Sequence, residues 1–195
     1  MPTITALREK RRGRIAVELD GAPWRELPIS VVARVGLAQG LTLDRPALRL
    51  LRRELRREEA LAIATRALRA RDLSERRLAE RLGRAAVAPA AAAASLEALS
   101  AAGVVDDGRF AANRAAALAD RGYGDGAIRH DLERHGVRAD LVTAALQALE
   151  DEPGRARRLV ERRGSGAKTA RYLASKGFGE DAVEAALGAD FANDP

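Results

Sequence analysis

Apolar and polar residues follow two different periods along this chain, and the change between them separates two kinds of structure. Ile15, Val17 and Leu19 alternate with Ala16 and Glu18, which is the period of a half-buried β-strand, and residues 4–7 and 24–27 could supply partner strands. Asp20-Gly21 interrupts this stretch and is a strong turn signal. We therefore predict a small antiparallel N-terminal β-hairpin. Such a ribbon needs a helix to pack on, because it is only marginally stable alone.

The central segment contains one complete helix with a signal at each end. Asp106 and Asp107 precede it, and either carboxylate can cap its free N–H groups. Phe110 begins an apolar face at helical spacing. Gly122 and Gly124 are predicted to end the helix, because glycine adopts the left-handed conformation common at helix ends. These five residues form the structural motif of the segment.

Copies of this unit lie on both sides of it. A shift of 50 residues places Leu82 on Leu132, and a further shift of 41 places Leu132 on Leu173. Repeated units of this size form arrays in which each repeat contacts mainly its neighbours. The predicted fold class is mainly α: a curved, elongated tandem array of three three-helix repeats, preceded by the β-hairpin and a connecting helix. The predicted domains are the hairpin with a basic helix (1–57), repeat 1 (58–105), repeat 2 (106–151) and repeat 3 (152–190). The helices predicted for repeats 1 and 3 are Glu59–Arg69, Ser74–Arg84, Pro89–Ala101, Pro153–Arg163, Gly166–Lys176 and Glu180–Leu187.

Charge is concentrated in the first domain. Residues 1–57 carry 13 basic and 6 acidic groups, whereas residues 105–151 carry 6 and 9. The connecting helix, which Asp44 can cap, has leucines on one face and arginines on the others. Two interpretations remain open for these cations, a solvated basic surface or contact with a polyanion. The candidates for nucleic-acid contact are Lys10, Arg11, Arg12, Arg14, Arg52, Arg53, Arg56 and Arg57.

Composition narrows the function classes further. The chain has no cysteine, which excludes disulfides and thiolate metal sites. No apolar signal region is present, and no run approaches the ~18 residues of a membrane span, so we expect a cytoplasmic protein without a membrane partner. Almost all basic residues are arginine, an Arg and Ala bias typical of a GC-rich genome, so a single arginine cluster is weak evidence of function.

No catalytic constellation is predicted. Asp106 and Asp107 are adjacent and point about 100° apart on a helix, so they do not form a carboxylate dyad. His130 and His135 are five residues apart, not the spacing that places two metal ligands on one helix face, and we expect both on the surface. The glycine-rich segments 122–126 and 164–169 are interpreted as turns between helices. We therefore expect no catalytic residue, metal or cofactor, and an interaction protein in place of an enzyme.

A family resemblance lies in the same residues. The segment 103–111, followed by 121–124, Ile128 and Leu132, resembles the central segment of the RecX family of bacterial regulatory proteins. Residues 71–78 and 169–178 fit the family's first and third repeats, and the N-terminal hairpin resembles the extension of its longer members. The resemblance spans residues 60–187. It implies a curved array of three-helix repeats that binds the RecA filament on single-stranded DNA and inhibits its ATPase, strand-exchange and coprotease activities, modulating DNA repair, recombination and the SOS response.

If this implication holds, exposed arginines of the repeats are the expected contacts, and the protein is expected to act as a monomer. Two alternatives remain, a direct DNA-binding protein without a RecA role and a metal-dependent nuclease that uses Asp106 and Asp107. Tyr123 is a further candidate, because tyrosine is common at interfaces, although core packing explains it equally well. The partner-binding candidates are Arg76, Arg77, Arg81, Arg109, Arg114, Arg121, Tyr123, Arg129 and Arg134.

Overall fold

The structure is a computed structural model and describes residues 1–188. Three strands come first: β1 (Ile4–Lys10), β2 (Arg14–Leu19) and β3 (Ala22–Pro28). Ten helices follow in the described part of the chain: α1 (Ile29–Val35), α2 (Arg45–Ala70), α3 (Glu75–Arg84), α4 (Pro89–Ala101), α5 (Asp107–Asp120), α6 (Asp125–Arg134), α7 (Ala139–Gln147), α8 (Glu152–Arg163), α9 (Ala167–Ser175) and α10 (Glu180–Leu187). The last two residues of predicted repeat 3, 189 and 190, lie outside the described residues.

The predicted fold class is confirmed, since the protein is mainly helical with a small N-terminal antiparallel sheet. The strand order is β1-β2-β3, so both of the expected partner strands pair with β2. Asp20 and Gly21 form the turn between β2 and β3 with φ angles of 50° and 83°. Both are left-handed, as a tight two-residue hairpin turn requires.

Backbone packing divides the chain into two compact units. Unit 1 comprises Met1–Ala70 and Ala79–Ala98, and unit 2 comprises Arg71–Leu78 together with the chain from Leu99 onward. In unit 1 the three-stranded sheet shares one hydrophobic core with α1 and α2. In unit 2, helices α5, α6 and α7 enclose one core and α8, α9 and α10 enclose another. The predicted domain boundaries at 57, 105 and 151 stay a prediction.

In unit 1 one arginine holds two carboxylates on α2. Arg34 of α1 donates from Nε to Glu54 at 3.0 Å and from Nη2 to Glu58 at 2.6 Å. Burial raises the pKa of Glu58, but the hydrogen bonds from Arg34 and Ser30 and the nearby charges of Arg34 and Arg57 together outweigh this effect, so the pKa lies below its ordinary value. Both carboxylates therefore bind α1 through Arg34.

The connecting helix is longer than expected. We predicted a separate first helix for repeat 1, Glu59–Arg69, but α2 is a single helix of 26 residues from Arg45 to Ala70. Asp44 caps its start as predicted, accepting the N–H of Ala47 at 2.7 Å. Beyond Pro46 α2 contains no proline or glycine, and its Leu, Ala, Glu and Arg residues are strong helix formers. Nothing in the sequence therefore ends the helix near residue 57.

Within unit 2, α6 meets the turn after α9 by close backbone contact. The N–H groups of Gly124 and Gly126 donate to the carbonyls of Lys176 at 2.9 Å and Gly177 at 3.0 Å. Gly122, with φ 77°, follows α5 in the left-handed conformation, as predicted. Our prediction for Gly124 is wrong: its φ is −81° and it begins α6 instead of ending α5. Glycine is needed there because a side chain would strike the neighbouring backbone.

The turn after α3 contains a strained residue. Ala86 has φ 55°, whereas glycine occupies the equivalent turn after α6, where Gly136 has φ 79°. We expect Ala86→Gly to raise the free energy of unfolding by about 0.5–1 kcal/mol, because the left-handed conformation costs about 1–2 kcal/mol for alanine and the added chain entropy of glycine offsets part of this gain. Urea unfolding measures the change. Ala85→Gly is the matched control, because Ala85 has no positive φ to relieve; it should destabilise the protein. Equal effects of both substitutions would contradict this account.

Candidate partner-binding surface

The two acidic residues at the start of α5 serve different helices. Asp106 accepts the N–H of Arg109 at 2.9 Å, which confirms the predicted cap. Asp107 accepts the N–H of Glu75 at 2.8 Å, and therefore caps the first turn of α3. Each carboxylate thus has a structural partner of its own.

Two of the candidate arginines are engaged inside unit 2. Arg109 donates to the carbonyls of Gly103 at 3.1 Å and Val104 at 3.0 Å, which follow α4. Arg114 of α5 forms a two-point ion pair with Asp131 of α6, with Nη2 at 3.0 Å from Oδ1. These side chains therefore join segments of the unit.

The Arg114 hydrogen bonds hold the pKa of Asp131 below its ordinary value of 3.8, although partial burial opposes this shift. The carboxylate therefore stabilises the fold fully above the pKa it has in the unfolded chain. This contribution is lost as the pH falls through the lowered pKa of the folded state.

Asp131→Asn is therefore expected to lower the free energy of unfolding at neutral pH by about 1–2 kcal/mol, since a charged hydrogen-bonded pair is lost at a partly exposed position. Below a pH of about 4 the difference between parent and variant should shrink, because the parent carboxylate becomes protonated. Urea unfolding across the acid range measures both curves. Parallel curves for the two proteins would contradict the assignment.

The three candidate arginines of α3 lie in different surroundings. Arg76 lies against Gly136, where an added Cβ would come within 2.8 Å of the arginine Cβ. Arg77 donates to the carbonyl of Arg134 at 3.0 Å. Both residues hold the start of α3 within unit 2. Arg81 is exposed and belongs to unit 1.

Helix α6 presents two exposed candidates, Arg129 and Arg134. Arg129 is exposed and has no ion-pair or hydrogen-bond partner for its side chain in the described chain. Arg134 is also exposed and lies 3.4 Å from Asp131. His130 is exposed, as expected.

The expectation for His135 is wrong. Its ring is half-buried, lies 5.6 Å from the ring of Phe110 and has Nδ1 2.7 Å from the carbonyl oxygen of Asp131. The apolar surface of imidazole covers the core at this point, while its nitrogen bonds to the helix end. Ser74 donates to the backbone carbonyl of the same residue at 2.6 Å.

Cations and aromatic rings alternate across one side of unit 2. The guanidinium of Arg121 lies 5.7 Å from the ring of Tyr123, and Nζ of Lys176 lies 4.2 Å from the same ring. Lys176 also lies 5.8 Å from Tyr172, whose ring has the guanidinium of Arg163 at 3.8 Å. We call these five residues the tyrosine row. It contains both tyrosines of the chain.

A groove of about 380 Å³ begins at the same Arg121. Its walls contain three further arginines, Arg155, Arg158 and Arg162, and one acidic residue, Asp120. The row and the groove therefore form a continuous basic surface. Among the arginines of this groove, Arg162 is exposed, and its side chain has no hydrogen-bond or ion-pair partner within residues 1–188.

The N-terminal cations occupy two places in unit 1. Lys10, Arg11 and Arg12 are exposed at the turn between β1 and β2, and Arg14 donates to the carbonyl of Glu26 at 2.8 Å. The four candidate arginines of α2, Arg52, Arg53, Arg56 and Arg57, line a groove that also contains Arg49.

No group of three or more His, Asp or Glu residues within residues 1–188 is arranged to hold a metal ion. None of the helices described for this chain is both long enough and apolar enough to cross a membrane.

Comparisons with known proteins identify the family. A model of the second three-helix domain of RecX matches residues 106–146. The regulatory protein RecX of Stenotrophomonas maltophilia (strain R551-3) is 35% identical over 103 residues, which are 48% of this chain and 63% of that protein. The regulatory protein RecX of Halorhodospira halophila (strain DSM 244 / SL1) is 33% identical over 136 residues, 65% of this chain and 84% of that protein. The chain belongs to the RecX family.

Solved structures share the fold of this chain. A crystal structure of regulatory protein RecX matches with a TM-score of 0.81 at 20% identity, covering 93% of this chain and 97% of the other. RecX from Lactobacillus salivarius matches with a TM-score of 0.57 at 16% identity, covering 66% and 92%. At such identities the likeness concerns the fold. The resemblance to RecX inferred from the sequence is thus confirmed.

Sequence reasoning missed three members of the tyrosine row of this RecX chain: Arg163, Tyr172 and Lys176. The repeat alignment gives no signal for Tyr172, because Tyr123 falls on Gly164 when shifted by 41 residues. The sequence did contain one signal for these residues. The chain has only 2 tyrosines among 195 residues, so each tyrosine was a candidate for a specific role.

Proposed function

We propose that this protein is a non-enzymatic regulator that binds the RecA filament on single-stranded DNA and inhibits its ATPase, strand-exchange and coprotease activities. The observation that carries the proposal is the 33% identity to a regulatory protein RecX over 84% of that protein's length. Regulation by binding is also supported by the carboxylates of Asp106 and Asp107, each of which is engaged in capping a helix start.

The tyrosine row is the surface we assign to the partner. Tyrosine and arginine are the residues most enriched among those that dominate binding energy at interfaces. In this row each ring carries a cation, so an acidic partner surface would meet charge and flat apolar area together. Arg129 and Arg134 of α6 are the second part of the proposed contact, because both are exposed. Arg109 and Arg114 contribute by fixing α5 and α6 in place.

The test of the regulatory role is a titration of RecA ATP hydrolysis on single-stranded DNA. We expect the protein to lower the steady-state rate at concentrations up to that of RecA. An unchanged rate over a wide concentration range would overturn the proposal. Oligonucleotide binding without any effect on RecA would favour the direct DNA-binding alternative.

The contact surface has its own test. Arg163→Ala/Lys176→Ala removes two cations from the tyrosine row and should raise the half-inhibitory concentration about thirtyfold or more, because truncating each of two hot-spot residues costs on the order of 1–2 kcal/mol. Arg157→Ala/Lys168→Ala removes the same charge from exposed positions of unit 2 outside the row and should inhibit like the parent. Melting curves of both variants check that they remain folded. Equal inhibition by both double variants would remove the row from the contact surface while leaving the regulatory role standing.

A further inference from the structure

The groove on unit 1 carries an unusual concentration of positive charge. It has a volume of about 430 Å³ and lies between one face of α2 and the alanine-rich start of α4. We call it the arginine groove; its lining consists of Arg49, Arg52, Arg53, Glu54, Arg56, Arg57, Ala88, Ala90, Ala91 and Ala94.

Most of these cations form no ion pair within residues 1–188. The side chains of Arg49, Arg52 and Arg56 make no ion pair with any described residue. Arg57 lies near Glu58, whose carboxylate is already hydrogen-bonded to Arg34. The acidic residue in the lining, Glu54, is buried and bonded to Arg34 at 3.0 Å. Its contact with Arg53 is longer, at 3.4 Å, and leaves that arginine 74% exposed. The groove therefore retains a net positive charge of several units.

One guanidinium in the groove has an unsatisfied donor. Nε of Arg57 is buried and has no hydrogen-bond partner among the described residues. A buried N–H without an acceptor costs free energy, and a charged donor costs more. An anionic oxygen reaching into the groove would supply the missing acceptor.

The spacing of the arginines suits a chain of regularly placed anions. From Arg49 to Arg57 the groove follows about 12 Å of helix, at about 1.5 Å per residue. In a duplex, each strand places three to four phosphates over that length of helix axis, at about 3.4 Å each.

The opposite wall distinguishes this ligand from an acidic peptide. Ala88, Ala90, Ala91 and Ala94 present only methyl groups, so a smooth backbone can approach closely. Peptide partners derive much of their affinity from large side chains anchored in pockets, and a wall of methyl groups provides no deep pocket for one. Contacts to phosphate need only cations, and guanidinium binds phosphate through two parallel hydrogen bonds.

We propose that the arginine groove binds the sugar-phosphate backbone of a nucleic-acid strand without reading its bases. This site lies outside the segment matched by the RecX domain model, residues 106–146, and its occupation does not depend on RecA.

The test measures fluorescence anisotropy of two labelled probes, a thymine oligonucleotide of about 30 nucleotides and a duplex of the same length, across about 50–200 mM salt. Arg52→Gln/Arg56→Gln/Arg57→Gln should weaken binding at least tenfold and reduce the salt slope for the single strand by about 2. The matched control, Arg45→Gln/Arg66→Gln/Arg69→Gln, removes three exposed arginines from the same helix outside the groove and should weaken binding less than about threefold. Comparison of the probes shows which form of nucleic acid presents the backbone to the groove.

A second pair of variants tests the alanine wall. Ala90→Glu places a carboxylate in the groove and suits the first turn of α4, where an acidic residue is favourable, so the fold should be retained. It should weaken binding several-fold, whereas Ala93→Glu, on the same helix but outside the lining, should bind like the parent.

Three results would overturn the proposal. Absence of binding by the parent at low salt would do so. Equal losses for the groove and control variants would show delocalised attraction in place of a site. Displacement of the oligonucleotide by polyglutamate at equal charge concentration would assign the groove to an acidic protein.

Discussion

Gly124→Ala is expected to lower the free energy of unfolding by about 3–5 kcal/mol, because it forces two backbone segments apart and weakens the hydrogen bonds between them. A Cβ on Gly124 would lie 2.5 Å from the carbonyl carbon of Gly177, and closer still to the carbonyl oxygen of Gly177 and the amide nitrogen of Phe178. All three obstructing atoms belong to the backbone, so no rotamer change relieves the overlap. The bond from Gly124 N–H to the carbonyl of Lys176 would lengthen as the segments separate.

Urea unfolding of the full chain, followed by circular dichroism, measures this loss. Gly83→Ala is the matched control, because Gly83 is exposed inside α3 and an added Cβ there meets nothing within 4 Å. The control should stabilise the protein by up to about 1 kcal/mol, since alanine is the better helix former. A loss below about 1 kcal/mol for Gly124→Ala would contradict the close approach.

Gly136 provides an intermediate case. Its neighbour is the side chain of Arg76, whose Cβ would lie 2.8 Å from an added methyl group. That side chain has several rotatable bonds, so part of the overlap can be relieved, although φ 79° still disfavours alanine. The cost of a methyl group at each glycine thus depends on what lies opposite, which the sequence does not reveal.

Sequence signals located the helices well where their causes are local. Asp44 and Asp106 were predicted as caps, and each accepts a backbone N–H within its own helix start. Ser74, the predicted first residue of its helix, accepts the N–H of Arg77 in the same way. Helix α4 has the bounds expected from its proline and alanines, Pro89–Ala101. The continuity of α2 also has a local cause. No residue that would end a helix lies between the two helices we predicted there, so they form a single helix.

The candidate site was less predictable, because an arginine's role depends on what the fold places beside it. Arg109, Arg114 and Arg129 all lie in predicted repeat 2. In the structure the first two donate to carbonyls and a carboxylate within unit 2, and the third is exposed without a partner. The tyrosine row likewise joins α5–α6 residues with α8–α9 residues, a pairing that depends on how two helix groups pack.

Arg155 shows this dependence most strongly. It stands in a run of charged residues typical of a helix surface, yet only 5% of the residue is exposed. Nε donates to the carbonyl of Glu150 at 3.0 Å, Nη1 donates to the carbonyl of Tyr123 at 2.9 Å and Nη2 binds the carboxylate of Asp125. One side chain therefore ties the start of α8 to the start of α6.

Arg155→Met is accordingly expected to lower the free energy of unfolding by about 3–4 kcal/mol, because it leaves a carboxylate and two carbonyls without their donor while keeping the apolar stem. Arg157→Met, at an exposed position of the same helix, should change stability by less than about 0.5 kcal/mol. Adding Asp125→Asn to Arg155→Met should recover part of the loss, since the unpaired charge is then absent. A double variant whose loss equals the sum of the two single losses would contradict the ion pair, because independent residues give additive effects and paired ones do not.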